Sequence, residues 1–123
     1  MTRKRKNFGE EGEAAAAAFR RKKGYRILER NFRTNAGEID LVAEQGRAVV
    51  FIEVKSRAGP VYGQPLDALT PAKVNKLRQM AALFLARHGI RDQEVRFDVV
   101  SVSGDPAWPG GWRVEVLENA FQD

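Results

Sequence analysis

Glu38-Ile39-Asp40-Leu41-Val42-Ala43-Glu44-Gln45-Gly46-Arg47-Ala48-Val49-Val50-Phe51-Ile52-Glu53-Val54-Lys55-Ser56-Arg57 is the stretch whose reading decides the fold. Its second half is β-branched and aromatic over a strand's length, and Gln45-Gly46 is a turn signal between two such runs. The stretch therefore predicts a β-hairpin, with strands over 38–44 and 47–57. Residues two apart on a strand share a face. Glu38, Asp40 and Val42 then point one way from the first arm, and Val49, Phe51, Glu53, Lys55 and Arg57 one way from the second. A two-residue loop sets Glu44 opposite Arg47, Glu38 opposite Glu53 and Asp40 opposite Phe51. Asp40 and Glu53 become diagonal neighbours at roughly 7 to 8 Å, within reach of a shared ion.

Outward from the hairpin, the chain alternates in type. On the N-terminal side, 8–23 reads as a helix: Ala14 to Ala18 supply propensity, acids fall in the first turn, Arg20 to Lys23 in the last, and Gly24 ends it. Tyr25 to Arg30 is a short strand, and Asn31 to Gly37 a polar connection. On the C-terminal side, 58–69 carries Gly59, Pro60, Gly63 and Pro65 and reads as a loop, where Tyr62 could stack on a base or cover the core. Thr70-Pro71 forms an N-cap and first-turn pair for a helix with Val74, Leu77, Met80, Ala81, Phe84 and Leu85 on one face, ended by Gly89. Strands follow over 94–102 and 112–117. The order is α-β-β-β-α-β-β, an α/β chain with about five strands in a central sheet.

The 123 residues suit one compact core, with 1–7 as a basic flexible tail and 8–123 as a single domain. Without cysteine, and with His88 as the one histidine, the chain has no thiolate site, Ser-His pair or multi-histidine zinc site of its own. Its chemistry must come from carboxylates, lysines or hydroxyls. No apolar core follows the basic N-terminus and no run could span a bilayer, so the expectation is a cytoplasmic protein that does not engage membranes. A net charge of +5 favours a polyanion such as nucleic acid, although basic surfaces often serve only solubility.

Carboxylates crowded at one end of an apolar hairpin repel one another, so something positive belongs among them. Two answers stand open. Lys55 and Arg57 could neutralise the acids as an ion-pair ladder on a solvated face. Alternatively the acids hold a hard cation, Mg²⁺ or Mn²⁺, which keeps several waters and binds substrate phosphate. In that case Asp40 and Glu53 are ligands and Lys55 steadies the attacking water or the developing negative charge. Glu38 is secondary, orienting Lys55 or a bound water, or pairing with Arg57. Lys73 lies in a helix first turn, where a cation opposes the macrodipole, so helix stability does not explain it. With Arg33, Lys76 and Arg78 it forms a set of candidate nucleic-acid contacts.

Asp40 followed by Glu53-Val54-Lys55 resembles the PD-(D/E)xK signature of restriction-endonuclease-like proteins, whose core is a mixed sheet flanked by helices. The longer pattern is more specific. Gly9, Gly12-Glu13-Ala14, Arg30-Asn31-Phe32-Arg33, Gly37 to Val42, Phe51 to Arg57, Lys73 and Arg96 to Val100 together resemble the YraN-like family of bacterial proteins over residues 8–103. That family is similar to archaeal Holliday junction resolvases, in which a helix glutamate joins the strand acids around the metal. The resemblance implies that Glu13 takes that role, making Glu13, Asp40 and Glu53 the metal set and adding Lys55 as the fourth catalytic group. It implies a metal-dependent endonuclease acting on DNA, including branched or structured DNA. A symmetric cut of two strands would need a homodimer. A non-catalytic nucleic-acid-binding module on the same scaffold is the alternative, and a protein-interaction domain a third. Trp108 and Trp112 fall outside the pattern and inherit no role.

Overall fold

The structure is a computed structural model that describes residues 3–57 and 69–121, with side chains from Phe8 onward. The loop expected over 58–69, with Tyr62, lies outside the described residues apart from Leu69. The elements are α1 (Arg3–Lys22), β1 (Arg26–Thr34), β2 (Gly37–Gln45), β3 (Ala48–Arg57), α2 (Pro71–Arg87), β4 (Glu94–Gly104), a short 3-10 turn (Pro109–Gly111) and β5 (Trp112–Leu117). They form the expected α-β-β-β-α-β-β order around one mixed sheet in the order β1-β2-β3-β4-β5. The β3–β4 pair is parallel, because α2 carries the chain back across the sheet; the remaining pairs are antiparallel.

Each face of the sheet has its own core. Ala16 and Ala17 of α1 pack on Leu41, Ala43, Val50, Ile52, Val100 and Val102, while Leu77, Met80, Ala81 and Phe84 of α2 pack on Val49, Phe51 and Phe97. Thr70 caps α2 as expected, its hydroxyl accepting from the Lys73 N–H at 3.2 Å. Because β3 and β4 are covered on both sides, their sequences read as nearly continuous apolar runs rather than alternating ones.

Four expectations are corrected. Helix α1 begins at Arg3, so no boundary between tail and helix falls at residue 8; Lys and Arg are good helix formers, and no proline interrupts 3–7. Glu10, Glu11 and Glu13 are consequently mid-helix residues, and the macrodipole gives no reason for an acid at 13. Strand β1 runs on to Thr34, through Asn31-Phe32-Arg33, which the polarity of those residues had suggested was a connection. A bulge between Ile27 and Glu29 and a left-handed Asn31 (φ 56°) let the strand bend while Phe32 enters the α2-side core. Finally, the hairpin turns at Gly46-Arg47 rather than Gln45-Gly46, with Gly46 at φ 57°, where a residue without Cβ is favoured.

That turn moves the register by two residues. Glu44 faces Val49, Val42 faces Phe51, and the ladder stops at Leu41 opposite Ile52. Asp40 thus comes level with Glu53, closer than the diagonal placement expected from sequence.

Candidate metal centre

The site is built where β2 and β3 part. Beyond Leu41 the β2 backbone leaves β3, although β1 stays paired with β2 as far as Gly37 and β4 with β3 as far as Arg57. Ile39 and Leu41, two residues apart, lie in opposite cores, so alternation breaks at the residue between them. Asp40 compensates for the lost ladder bond, its Oδ2 accepting the Val54 N–H at 2.8 Å. A backbone donor that would otherwise be orphaned is satisfied, and a carboxylate is fixed in the cleft between the strands.

Other acids reach that carboxylate from both faces of the sheet. From the α1 side comes Glu13, and one carboxylate oxygen each from Glu13, Glu38 and Asp40 lie within 4.8 Å of one another. Gly12 makes this approach possible, since a Cβ there would sit 2.1 Å from Ser56 Oγ and 3.1 Å from a Val102 methyl. The Asn31 side chain also comes close enough to Glu13 to favour its charged form, which gives the bend in β1 a use that its sequence did not signal. From the α2 side Glu53 lies against Asp40, and its Oε2 accepts from Lys73 Nζ at 2.8 Å.

Electrostatics follow from this crowding. Burial, then Glu53 and Glu13, push the Asp40 carboxyl up to about 9, against the opposing pull of the Val54 N–H. Burial likewise raises Glu13, with Glu38 adding to the shift and the Asn31 side chain opposing it. The donor set is entirely carboxylate oxygen, the chemistry of hard cations, and Glu13, Glu38 and Asp40 would be the residues to hold one. Glu13, Glu38 and Asp40 therefore fit a divalent metal, with Glu53 beside Asp40 at its edge, and such an ion would relieve the repulsion that raises Asp40.

The expected residues divide accordingly. Glu13 and Asp40 are brought together with Glu38, which also pairs with Arg33 through Nε, whereas Glu53 lies against Asp40 but outside that cluster, its Oε2 held by Lys73. Lys55 is exposed and has no ion-pair partner among the described residues; the ammonium that touches the acids belongs to Lys73. The side chain of Lys76 lies over Gly37 at the start of β2, and the Arg78 guanidinium stands 5.2 Å from the Phe121 ring centre. Asp98 stays outside the site, buried in the sheet and held by Arg96 Nε and Nη2 and the Asn119 N–H.

Sheet order, flanking helices and an acid-lined cleft between two central strands define an α/β protein of the restriction-endonuclease-like class. Within that class the chain belongs to the uncharacterised protein family UPF0102, the YraN-like family, whose model matches residues 12–102. It is 47% identical over 116 residues to a UPF0102 protein of Symbiobacterium thermophilum, covering 94% of this chain and 97% of that one. A UPF0102 protein of Moorella thermoacetica is 48% identical over 121 residues, covering 98% and 100%. One from Geobacter sulfurreducens is 41% identical over 117 residues, covering 95% and 90%. Among the described residues no helix is long and apolar enough to cross a membrane.

Proposed function

We propose that this protein is a divalent-metal-dependent endonuclease that hydrolyses phosphodiester bonds in DNA, with branched or structured DNA among its substrates. The observation that carries this reading is the convergence on Asp40: carboxylates from α1, β2 and β3 meet in one cleft although their mutual repulsion is costly. A fold that retains such a cost at one point usually does so for function.

Mg²⁺ or Mn²⁺ held there supplies Lewis-acid polarisation of a phosphoryl oxygen and a more acidic water. The chain's own residues do the rest. Asp40, anchored by the Val54 N–H, and Glu13, steadied by Asn31, offer oxygens from opposite sides of the cleft. Glu53 would complete the set, its carboxylate being shared with Lys73 until an ion displaces the ammonium. Lys73, paired with Glu53, and Lys55, two residues from Glu53 on the same strand, are the ammonium groups that would stabilise the charge developing as the bond breaks. Arg33, Lys76 and Arg78 supply further cations for the flanking backbone.

The test is cleavage of junction, flap, duplex and single-stranded DNA with Mg²⁺ or Mn²⁺, comparing wild type with Glu53→Ala. Metal-dependent cutting that the substitution abolishes is the expected result. Binding without cutting by both proteins would instead identify a nucleic-acid-binding module.

A further inference from the structure

On the other flank of α1 from Glu13 lies a groove of about 570 Å³ between that helix, the Trp108 turn and β5. Its walls include Phe19, Trp108 and Trp112, and Lys22 and Lys23 stand at one end; no acid lines it. Trp108 is 44% exposed, among the most exposed large apolar side chains of the described residues, and the Arg113 guanidinium sits 5.7 Å from its ring centre. A tryptophan left in water beside cations has no packing reason for its position, since residues 109 and 110 next to it are exposed as well.

We infer that this groove takes unpaired nucleotides of a single-stranded nucleic acid, with a base stacked on Trp108 and phosphates met by Lys22 and Lys23. Stacking accepts any base, because each presents a flat π-face, and cations along an aromatic groove are what a phosphate backbone requires. The absence of acids among the lining residues and the +5 net charge favour a polyanion over a neutral or basic partner. The Trp108 turn also follows the end of β4 at which Ser103 pairs with Arg57, two residues past Lys55. A strand held on Trp108 accordingly leaves the groove at the end of the sheet where the acids gather. This inference deepens the nuclease reading, on which the choice of nucleic acid rests: it names a substrate with an unpaired stretch.

The experiment is binding of oligothymidylate to the full chain in EDTA, read by tryptophan fluorescence quenching and by anisotropy of labelled oligonucleotide. Wild type should bind with quenching; Trp108→Ala should weaken binding about 10-fold or more, while Trp108→Phe keeps part of the affinity. Lys22→Gln/Lys23→Gln should flatten the slope of log K against log salt by about 1.4, the value for two lost single-strand phosphate contacts. Circular dichroism of each variant distinguishes lost stacking from lost folding. Unchanged affinity in folded Trp108→Ala overturns the inference, as does a folded variant that loses only self-association. Because no metal is present, binding that depends on Trp108 supports the groove even if Glu53→Ala shows no cleavage to lose. Conversely, metal-dependent cutting that is indifferent to Trp108 leaves the nuclease standing without the groove.

Discussion

Replacing Asp40 with asparagine tests the electrostatic reading of the cleft most directly. In an unfolded chain an aspartate titrates near 3.9, whereas in the folded, metal-free protein the Asp40 carboxyl is pushed up to about 9. Between those values the native state holds a proton that the unfolded state has released. Stability is therefore greatest below the unfolded pKa and falls as pH rises toward the folded one. The ceiling is about 1.4 kcal/mol per pH unit, or about 2.7 kcal/mol between about pH 5 and pH 7. The cleft is partly open and Asp40 shares its proton with close carboxylates, so about half of that ceiling, roughly 1 to 1.5 kcal/mol, is the expected loss. Asparagine keeps an oxygen for the Val54 N–H and carries no charge. Asp40→Asn should thus lose this share of the pH dependence over the same range and be more stable than wild type near neutrality by a similar amount. Urea unfolding in EDTA at several pH values, followed by circular dichroism, measures both quantities. Titrations elsewhere in the molecule cancel in the difference between the two proteins. Equal pH slopes, or an Asp40→Asn protein that is less stable at neutral pH, would refute the claim that Asp40 is buried against its neighbours' charge.

Saturating Mn²⁺ should raise the melting temperature of wild type, about 2.7 kcal/mol at 100 times Kd, and thermal melts of Glu53→Gln should show much less of the gain. In Lys73→Met the ammonium no longer competes for Glu53, so calorimetric titration should show tighter Mn²⁺ binding than wild type; weaker binding would mean that Lys73 positions Glu53 for the ion. Gly12→Ala should cost about 1 to 3 kcal/mol in chemical denaturation, because its methyl meets Ser56 and Val102, and should weaken Mn²⁺ binding by lifting Glu13 from Asp40.

Element types and their order were legible because they rest on local physics. The apolar run in β3, the Thr70-Pro71 cap and the glycine stops act within a few residues of chain. The Asp40 and Glu53-Val54-Lys55 spacing pointed to the cleft in which Asp40 meets Glu53, although the hairpin register differs by two residues from the one that a Gln45-Gly46 turn implies. Register depends on which turn closes the hairpin, and neighbouring turn residues made Gln45-Gly46 and Gly46-Arg47 nearly equivalent on sequence. The roles of Asn31 and Lys73 were less visible. Asn31 reaches Glu13 only through a bend in β1, and Lys73 meets Glu53 only when α2 lies across β3.

The sequence by itself determined the type and order of the helices and strands though not where α1 begins or β1 ends, which residues are apolar, and that any chemistry must come from carboxylates, lysines or hydroxyls. Tertiary structure alone decided that Asp40 stands level with Glu53 where β2 and β3 separate, that Glu13 arrives over Gly12, and that Lys73 rather than Lys55 touches the acids. The physical reason is range. Propensity, caps and periodicity act over a turn of helix or a few strand residues, whereas the meeting of charges from α1, β2, β3 and α2 is set by how two cores pack on opposite faces of one sheet.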